Sequence, residues 1–272
     1  MRPVLFHIGG MSFHSYTVMM SLAFLVGTIL AVRANLRRER PFPITTLAGV
    51  WAFVGGILGA KTWWWAQYGE WADLKWGWFL VEGGLVFFGG LVGGVAAVVL
   101  YLRRAGAPVI PVSDLALPYV ALAHGIARIG CFLNGCCYGR HTTLPCAVYY
   151  PKSLPASSLP VHPVQLYETL GLLVVFAVLR LVYRRGPRTG TVVLGYLAGY
   201  GALRFVTEFF RGDSGHPLLG LTASQAVAAA MLAVGLAGLL RLRVAPRPDT
   251  ANTAEPRAPL ETAAPGESGA KQ

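Results

Sequence analysis

His124 and Arg128 lie four residues apart near the end of an apolar run, just ahead of the segment GCFLNGCCYGRH. That spacing puts both on one helix face. A guanidinium in a membrane-length helix costs about 2.5–3.5 kcal/mol on insertion scales, so it must have either a partner or a task. A second set, Tyr200, Arg204 and Glu208, recurs every four residues, and Arg211 follows. Arg204 and Glu208 could serve only to neutralise each other in low dielectric, and Arg128 could be an interfacial arginine that snorkels to headgroups. Taken together, Arg128 and Arg204 also have the chemistry of a clamp for a phosphodiester, because each guanidinium offers paired donors to two phosphate oxygens. The structural and ligand-binding roles do not exclude each other.

A third group opens another helix. The run His162, Pro163, Val164, Gln165, Leu166, Tyr167, Glu168 puts proline in the first turn, where its missing N–H is no loss. Gln165 and Glu168 then share a face, an arrangement that serves capping as well as ligand contact. All four cysteines, Cys131, Cys136, Cys137 and Cys146, fall between His124 and His162. Their spacings of five, one and nine fit neither a paired CxxC zinc site nor a thioredoxin-like motif. A disulfide or small-residue packing is therefore the expectation for this segment, ahead of a metal.

Such side chains need a scaffold, and the composition places it in a bilayer. Of 272 residues, 54% are hydrophobic and 13% charged, with a mean hydropathy of +0.53, which is outside the range of soluble domains of this size. Apolar runs of membrane length occur near Tyr16 to Val32, Ile44 to Ala66, Gly84 to Leu102, Ser113 to Gly130, Gln165 to Tyr183, Thr189 to Thr207 and Thr222 to Leu240. The expected fold is all-α, a polytopic membrane protein of about seven transmembrane helices. Gly55, Gly56 and Gly59 in the second run, and Gly89, Gly90, Gly93 and Gly94 in the third, have the spacing that lets two backbones approach closely.

The formal charge of +11 is gathered in clusters between these runs, a pattern that sets membrane orientation and gives no reason to invoke nucleic acid. Arg33, Arg37, Arg38 and Arg40 follow the first run, Arg103 and Arg104 the third, Arg184, Arg185 and Arg188 the fifth, and Arg241 and Arg243 the last. The other connections hold most of the acids, among them Glu70, Asp73, Glu82, Glu208 and Asp213. The positive-inside rule then puts the N-terminus outside and the C-terminus inside. The opening MRPVLFHIGG offers no convincing cleavage site, so the first run is expected to be a retained helix. Residues 1–243 thus form one transmembrane domain. Residues 244–272, nearly free of large apolar side chains, read as a disordered cytoplasmic tail.

Four blocks in order, GGLVFFGGLVGG at 83–94, ARIGCFLNGCCYGR at 127–140, HPVQLYE at 162–168 and YGALRFVTEFFRGD at 200–213, resemble the prolipoprotein diacylglyceryl transferase family. The resemblance implies a multi-pass enzyme of the bacterial plasma (inner) membrane. Its donor would be phosphatidylglycerol, a membrane lipid. Its acceptor would be the lipobox cysteine in the signal peptide of a secreted prolipoprotein, and glycerol 1-phosphate would be released. Carried over by position, Arg128 and Arg204 match the family's essential arginines, Tyr16 its first-helix tyrosine, and Tyr200 and Glu208 its sixth-helix motif. Asn134, Gly135 and Gly139 fall on the signature loop, and Gln165 and Glu168 join the substrate-contacting set.

The chain departs from the family pattern at Phe88, where a histidine is common, and at Cys131 and Cys136, where asparagine and glutamate are common. Transfer needs the acceptor thiol, with an ordinary pKa of about 8.5, to lose its proton, and it needs the leaving phosphate's charge to be balanced. Arg128 and Arg204 are assigned to the phosphate. His162, His124, Glu168 and Glu208 are the candidates for the base, and no cofactor is required. Two other readings follow from the departures: a family member that binds lipid without turnover, and a membrane thiol oxidoreductase built on the cysteines. A transporter fits less well, because the polar residues gather toward one face instead of at mid-membrane.

Overall fold

The computed structural model describes residues 3–42, 47–69, 86–150, 159–212 and 221–244. Glu70, Asp73, Glu82, Asp213 and the tail from 245 lie outside these described residues. Within them, a short hairpin, β1 (Val4–Ile8) and β2 (Met11–His14), precedes seven helices. These are α1 (Ser15–Leu36), α2 (Leu47–Tyr68), α3 (Phe87–Arg104), α4 (Val109–Asn134), α5 (Val164–Arg184), α6 (Thr191–Glu208) and α7 (Ala223–Val244). Each apolar run picked out in the sequence contains one helix over its described residues; residues 44–46 and 84–85 of the second and third runs lie outside them. Four of the helices, α1, α4, α5 and α7, are long and apolar enough to cross a membrane by length and composition. This is a helical membrane protein.

The hairpin is an addition that hydropathy does not single out. Its strands are antiparallel with Ile8 opposite Met11, and the two connecting residues, Gly9 and Gly10, both have positive φ, 54° and 82°. A two-residue turn of that kind matches the twist of the strands and favours glycine at both positions. Phe6 and Phe13 stack with centroids 4.9 Å apart. The Ser15 N–H donates to the Pro3 carbonyl at 2.8 Å, so the hairpin is fixed to the first turn of α1.

The bundle is built around α4, which packs against α1, α5 and α6, while α2 pairs with α3 and α6 with α7. Ten residues of α4 are buried, from Val112 to Cys131. Large apolar side chains such as Leu25, Leu58, Val92, Leu170, Val174 and Leu240 are instead exposed, an outer surface that suits hydrocarbon. The glycines act as packing surfaces. A Cβ on Gly59 would stand 2.8 Å from the Gly93 Cα, and one on Gly201 would stand 2.7 Å from the Leu232 backbone nitrogen. Only hydrogen fits at these contacts, as close helix approach in a membrane requires.

One end of the bundle is locked by hydrogen bonds to backbone. Asp114, in the first turns of α4, accepts from the Gly190 N–H at 2.5 Å and the Val193 N–H at 2.9 Å, which tethers the start of α6. Asn35, buried at the end of α1, exchanges two 3.0 Å bonds with the backbone of Phe42. Arg38 donates to the Tyr183 hydroxyl at 2.5 Å, joining α1 to the end of α5, and Arg188 donates to the Leu242 carbonyl of α7. The arginine-rich connections thus cap the helix ends on one side. The far ends carry Arg128, Glu168, Arg204 and Glu208.

Candidate active site

The C-terminal half of α4, the first turns of α5 and the last turns of α6 meet at the opposite end, and each brings charge. Glu168 is the meeting point. It is 2% exposed, and its Oε2 lies 2.6 Å from the Arg128 Nε. Its Oε1 takes Arg204 at 3.2 Å and accepts from the Thr207 hydroxyl at 3.3 Å. The Arg128 contact is an ion pair by proximity, its N–H not aligned on the carboxylate as a hydrogen bond. Arg204 also reaches Glu208 at 2.7 Å, and Arg211 approaches the same oxygen at 3.7 Å. The other Glu208 oxygen accepts from Thr222 at 2.8 Å. Arg128 and Arg204 therefore start from different helices and converge on one carboxylate, with side chains 14% and 15% exposed.

The remaining site residues frame this cluster. His124, one turn before Arg128, packs on the Tyr200 ring with centroids 5.1 Å apart, and the Tyr200 hydroxyl faces the Arg128 guanidinium. Tyr16, half-exposed at the start of α1, belongs to the turn that meets α4 at Gly130, where an added Cβ would stand 3.5 Å from the Tyr16 Cα. Asn134 ends α4, and Gly135 caps it in the left-handed region at φ 78°, a conformation that favours glycine. Gln165 is fully buried and donates from Nε2 to the Cys136 carbonyl at 2.7 Å and to the Tyr150 hydroxyl at 2.9 Å. It thus splints the signature loop to α5, beyond the capping role its position suggests. Burial pushes the Tyr150 phenol above its usual range.

Gly139 sits where three segments cross. Its N–H donates to the His162 carbonyl at 3.0 Å, it bridges to Arg211, and the Gly212 N–H donates to the neighbouring Tyr138 carbonyl at 3.2 Å. A Cβ at Gly139 would lie 2.5 Å from the His162 Cβ and 2.8 Å from the Phe210 carbonyl oxygen, so any larger residue would part the loop from α6. His162 stands on this lattice, its Nδ1 3.2 Å from the Tyr167 hydroxyl and its ring against Phe210. Among the described residues its partners are Tyr167, Phe210 and loop backbone, not the arginine cluster.

The cysteine expectation needs correction. Of the two alternatives expected there, a disulfide or small-residue packing, the disulfide is not formed: all four thiols are free. The same turn folds Cys131, Cys136 and Cys137 together, their sulfurs within 4.8 Å of one another, although their sequence spacing matches no standard motif. Hydrogen bonds from Cys131 and Cys136, with Arg211 and Arg128 adding to them, hold the Cys137 thiol well below the usual cysteine range. Cys146 is separate, exposed, and 3.2 Å from the Tyr167 hydroxyl.

Sequence reasoning missed Thr207, Thr222 and Tyr150. Thr222 had a local signal, since Thr-x-x-Gln before an apolar run is a capping box. Its hydroxyl accepts from the Gln225 N–H at 3.1 Å while the Gln225 Oε1 accepts from the Thr222 N–H at 3.0 Å.

A family model for prolipoprotein diacylglyceryl transferase matches residues 3–241. The chain belongs to this family. It is 31% identical to the phosphatidylglycerol–prolipoprotein diacylglyceryl transferase of Clostridium tetani, an alignment covering 87% of this chain and 96% of that one. It is 36% identical to the enzyme of that name from Bordetella avium over 81% of this chain and 85% of the relative. For the Aromatoleum aromaticum enzyme the identity is 35% over 90% and 96%. The family is one of transferases that act in lipoprotein biosynthesis, and its membrane character agrees with the apolar helices. Phe88, where the family pattern suggests histidine, is 54% exposed on α3, the helix paired with α2.

Among the described residues of the cluster, three guanidiniums (Arg128, Arg204, Arg211) face two carboxylates (Glu168, Glu208). In a largely desolvated setting such a gathering of guanidiniums suits an anion held by oriented N–H donors.

Proposed function

We propose that this protein transfers the diacylglyceryl group of phosphatidylglycerol to the lipobox cysteine of secreted prolipoproteins. The observation that carries the proposal is the convergence of Arg128 and Arg204 on Glu168. A phosphodiester carries one negative charge, and the paired donors of a guanidinium suit its oxygens. Glu168 keeps the two arginines converged while no lipid is present, which lowers the cost of bringing like charges together.

In the reaction the acceptor sulfur forms a C–S bond to the terminal glycerol carbon of the diacylglyceryl group. The bond from that carbon to the phosphate oxygen breaks, and glycerol 1-phosphate departs with the bonding electrons. The thiol proton passes to a base. Glu168 and Glu208 are committed to guanidiniums, so our assignment of the base is His162 in the tautomer whose Nδ1–H donates to the Tyr167 hydroxyl, which leaves Nε2 to take the proton. Arg128 and Arg204 stabilise the charge that grows on the departing phosphate, commonly the largest catalytic contribution in a water-poor site. Asn134, Gly135, Gly139 and Gln165 hold the loop over the reacting groups, and Tyr16 and Tyr200 line the α1 and α6 sides.

The membrane arrangement belongs to the same proposal: seven crossings in a bacterial inner membrane, the site toward the outer face, and the arginine-rich connections inside, following the positive-inside pattern. The test is direct. Purified protein in phosphatidylglycerol vesicles with a labelled diacylglyceryl group is given a lipobox peptide. A labelled thioether product is expected, and its absence from folded protein would overturn the proposal.

A further inference from the structure

The proposed transfer makes no use of the cluster formed by Cys131, Cys136 and Cys137. Cys131 lies in the last turn of α4. The chain then reverses through Gly135 at φ 78° and Cys137 at φ 61°, so that the next two thiols fold back over the first. Cys137 is the one non-glycine among the described residues with positive φ, a backbone state that persists only when its surroundings hold it. Here they do. The Gly135 N–H donates to the Cys131 carbonyl at 3.0 Å and the Cys136 N–H to the same carbonyl at 3.2 Å. Gln165 clamps the Cys136 carbonyl at 2.7 Å, and the Gly212 N–H holds the Tyr138 carbonyl at 3.2 Å.

We infer that Cys131, Cys136 and Cys137 form a three-thiolate site for a soft closed-shell metal ion, Zn2+ or Cu+. The sulfurs already lie within 4.8 Å of one another. Three sulfurs bound at about 2.3 Å around one ion stand about 3.8–4.0 Å apart, so the cluster needs to contract by less than about 1 Å. Thiolates select soft ions over magnesium or calcium. Zn2+ with three thiolates carries one net negative charge and keeps an open fourth position, whereas Cu+ is satisfied by the three sulfurs alone. Arg128, one turn before Cys131, and Arg211, bridged to Gly139, supply positive charge beside that anionic complex. Binding releases the thiol protons to solvent. Cys146, on Tyr167 and outside the cluster, takes no part.

The test uses the purified full chain under a non-thiol reductant, with Zn2+ and Cu+ titrated in separate arms and Co2+ as a coloured stand-in for zinc. One ion per chain should remain after desalting in at least one arm, with sulfur-to-metal charge-transfer absorption. The bound ion should shield three of the four thiols from alkylation in the wild-type protein. Cys131→Ser, Cys136→Ser and Cys137→Ser should each weaken binding by at least about 10–100-fold, the range seen even for outer-shell partners, while Cys146→Ser binds as wild type. The thermal transition of each variant separates a lost ligand from a lost fold. The inference is overturned if the reduced protein retains neither ion, if Cys146→Ser loses binding as the others do, or if the isolated protein carries a disulfide between two of the three.

Discussion

Two carboxylates, buried at opposite ends of the same helical bundle, are satisfied in different ways. Asp114 is 5% exposed and accepts from two backbone N–H groups at 2.5 and 2.9 Å. Glu168 is 2% exposed and is held by two guanidiniums whose own side chains are 14% and 15% exposed. Fourteen residues separate Asp114 from Arg128 on α4, about 21 Å along a helix. The Gly190 and Val193 N–H groups belong to the backbone at the start of α6 and move only with it, so Asp114 is a pin. A guanidinium on a flexible stem can exchange a carboxylate for a phosphate of like charge, so Glu168 is a holder. The location of buried charge therefore says less about function than the kind of partner that compensates it.

The largest effect that would sharpen this contrast is at the holder end. Arg128→Ala should lower the turnover of diacylglyceryl transfer by about 100–1000-fold, the loss typical of removing one donor from a developing oxyanion, while the purified protein keeps its helical content. Arg128→Lys should recover only part of that loss, because the planar paired donors are missing. At the pin end the signature reverses. Asp114→Ala leaves two part-buried N–H groups without their acceptor and should cost about 1–3 kcal/mol of stability, measured by thermal unfolding, with near-normal turnover in the protein that stays folded. If Asp114→Ala lost turnover as Arg128→Ala does, without losing stability, the contrast between the two ends would fail.

Smaller effects mark the surroundings. Gly59→Ala would press a methyl against the Gly93 Cα, 2.8 Å from its ideal position, and overpacking of this kind costs about 1–3 kcal/mol. The readout is the melting temperature, with transfer per folded molecule preserved. Cys146→Ser, at an exposed thiol, should change stability by no more than about 0.5 kcal/mol and leave transfer intact under reducing conditions.

The helices were legible because each is a long apolar run, and hydrocarbon solvent writes itself into composition over about 20 residues at a time. The Arg204–Glu208 pair was legible because it is local, one turn apart on α6. The role of Glu168 was not. Its partners lie 40 residues before it and 36 after it, and capping was an equally good account of a glutamate near a helix start. The cysteines show the same limit from the other side. Their spacing argued against a cluster, yet positive φ at Gly135 and Cys137 curls the turn into one. The hairpin escaped notice for a different reason: each strand has at most five residues, too few to register as a membrane-length run, although the Gly9-Gly10 turn was visible.

The two arginines acting on one anion are tested most directly by a double-mutant cycle on transfer, comparing kcat/KM for phosphatidylglycerol in wild type, Arg128→Ala, Arg204→Ala and the double variant, each checked for folding. Groups that act as a unit are strongly non-additive. The double variant should fall no more than about tenfold below the weaker single variant. Losses that multiply independently, or an Arg128→Ala protein that turns over like wild type, would contradict a shared phosphate site.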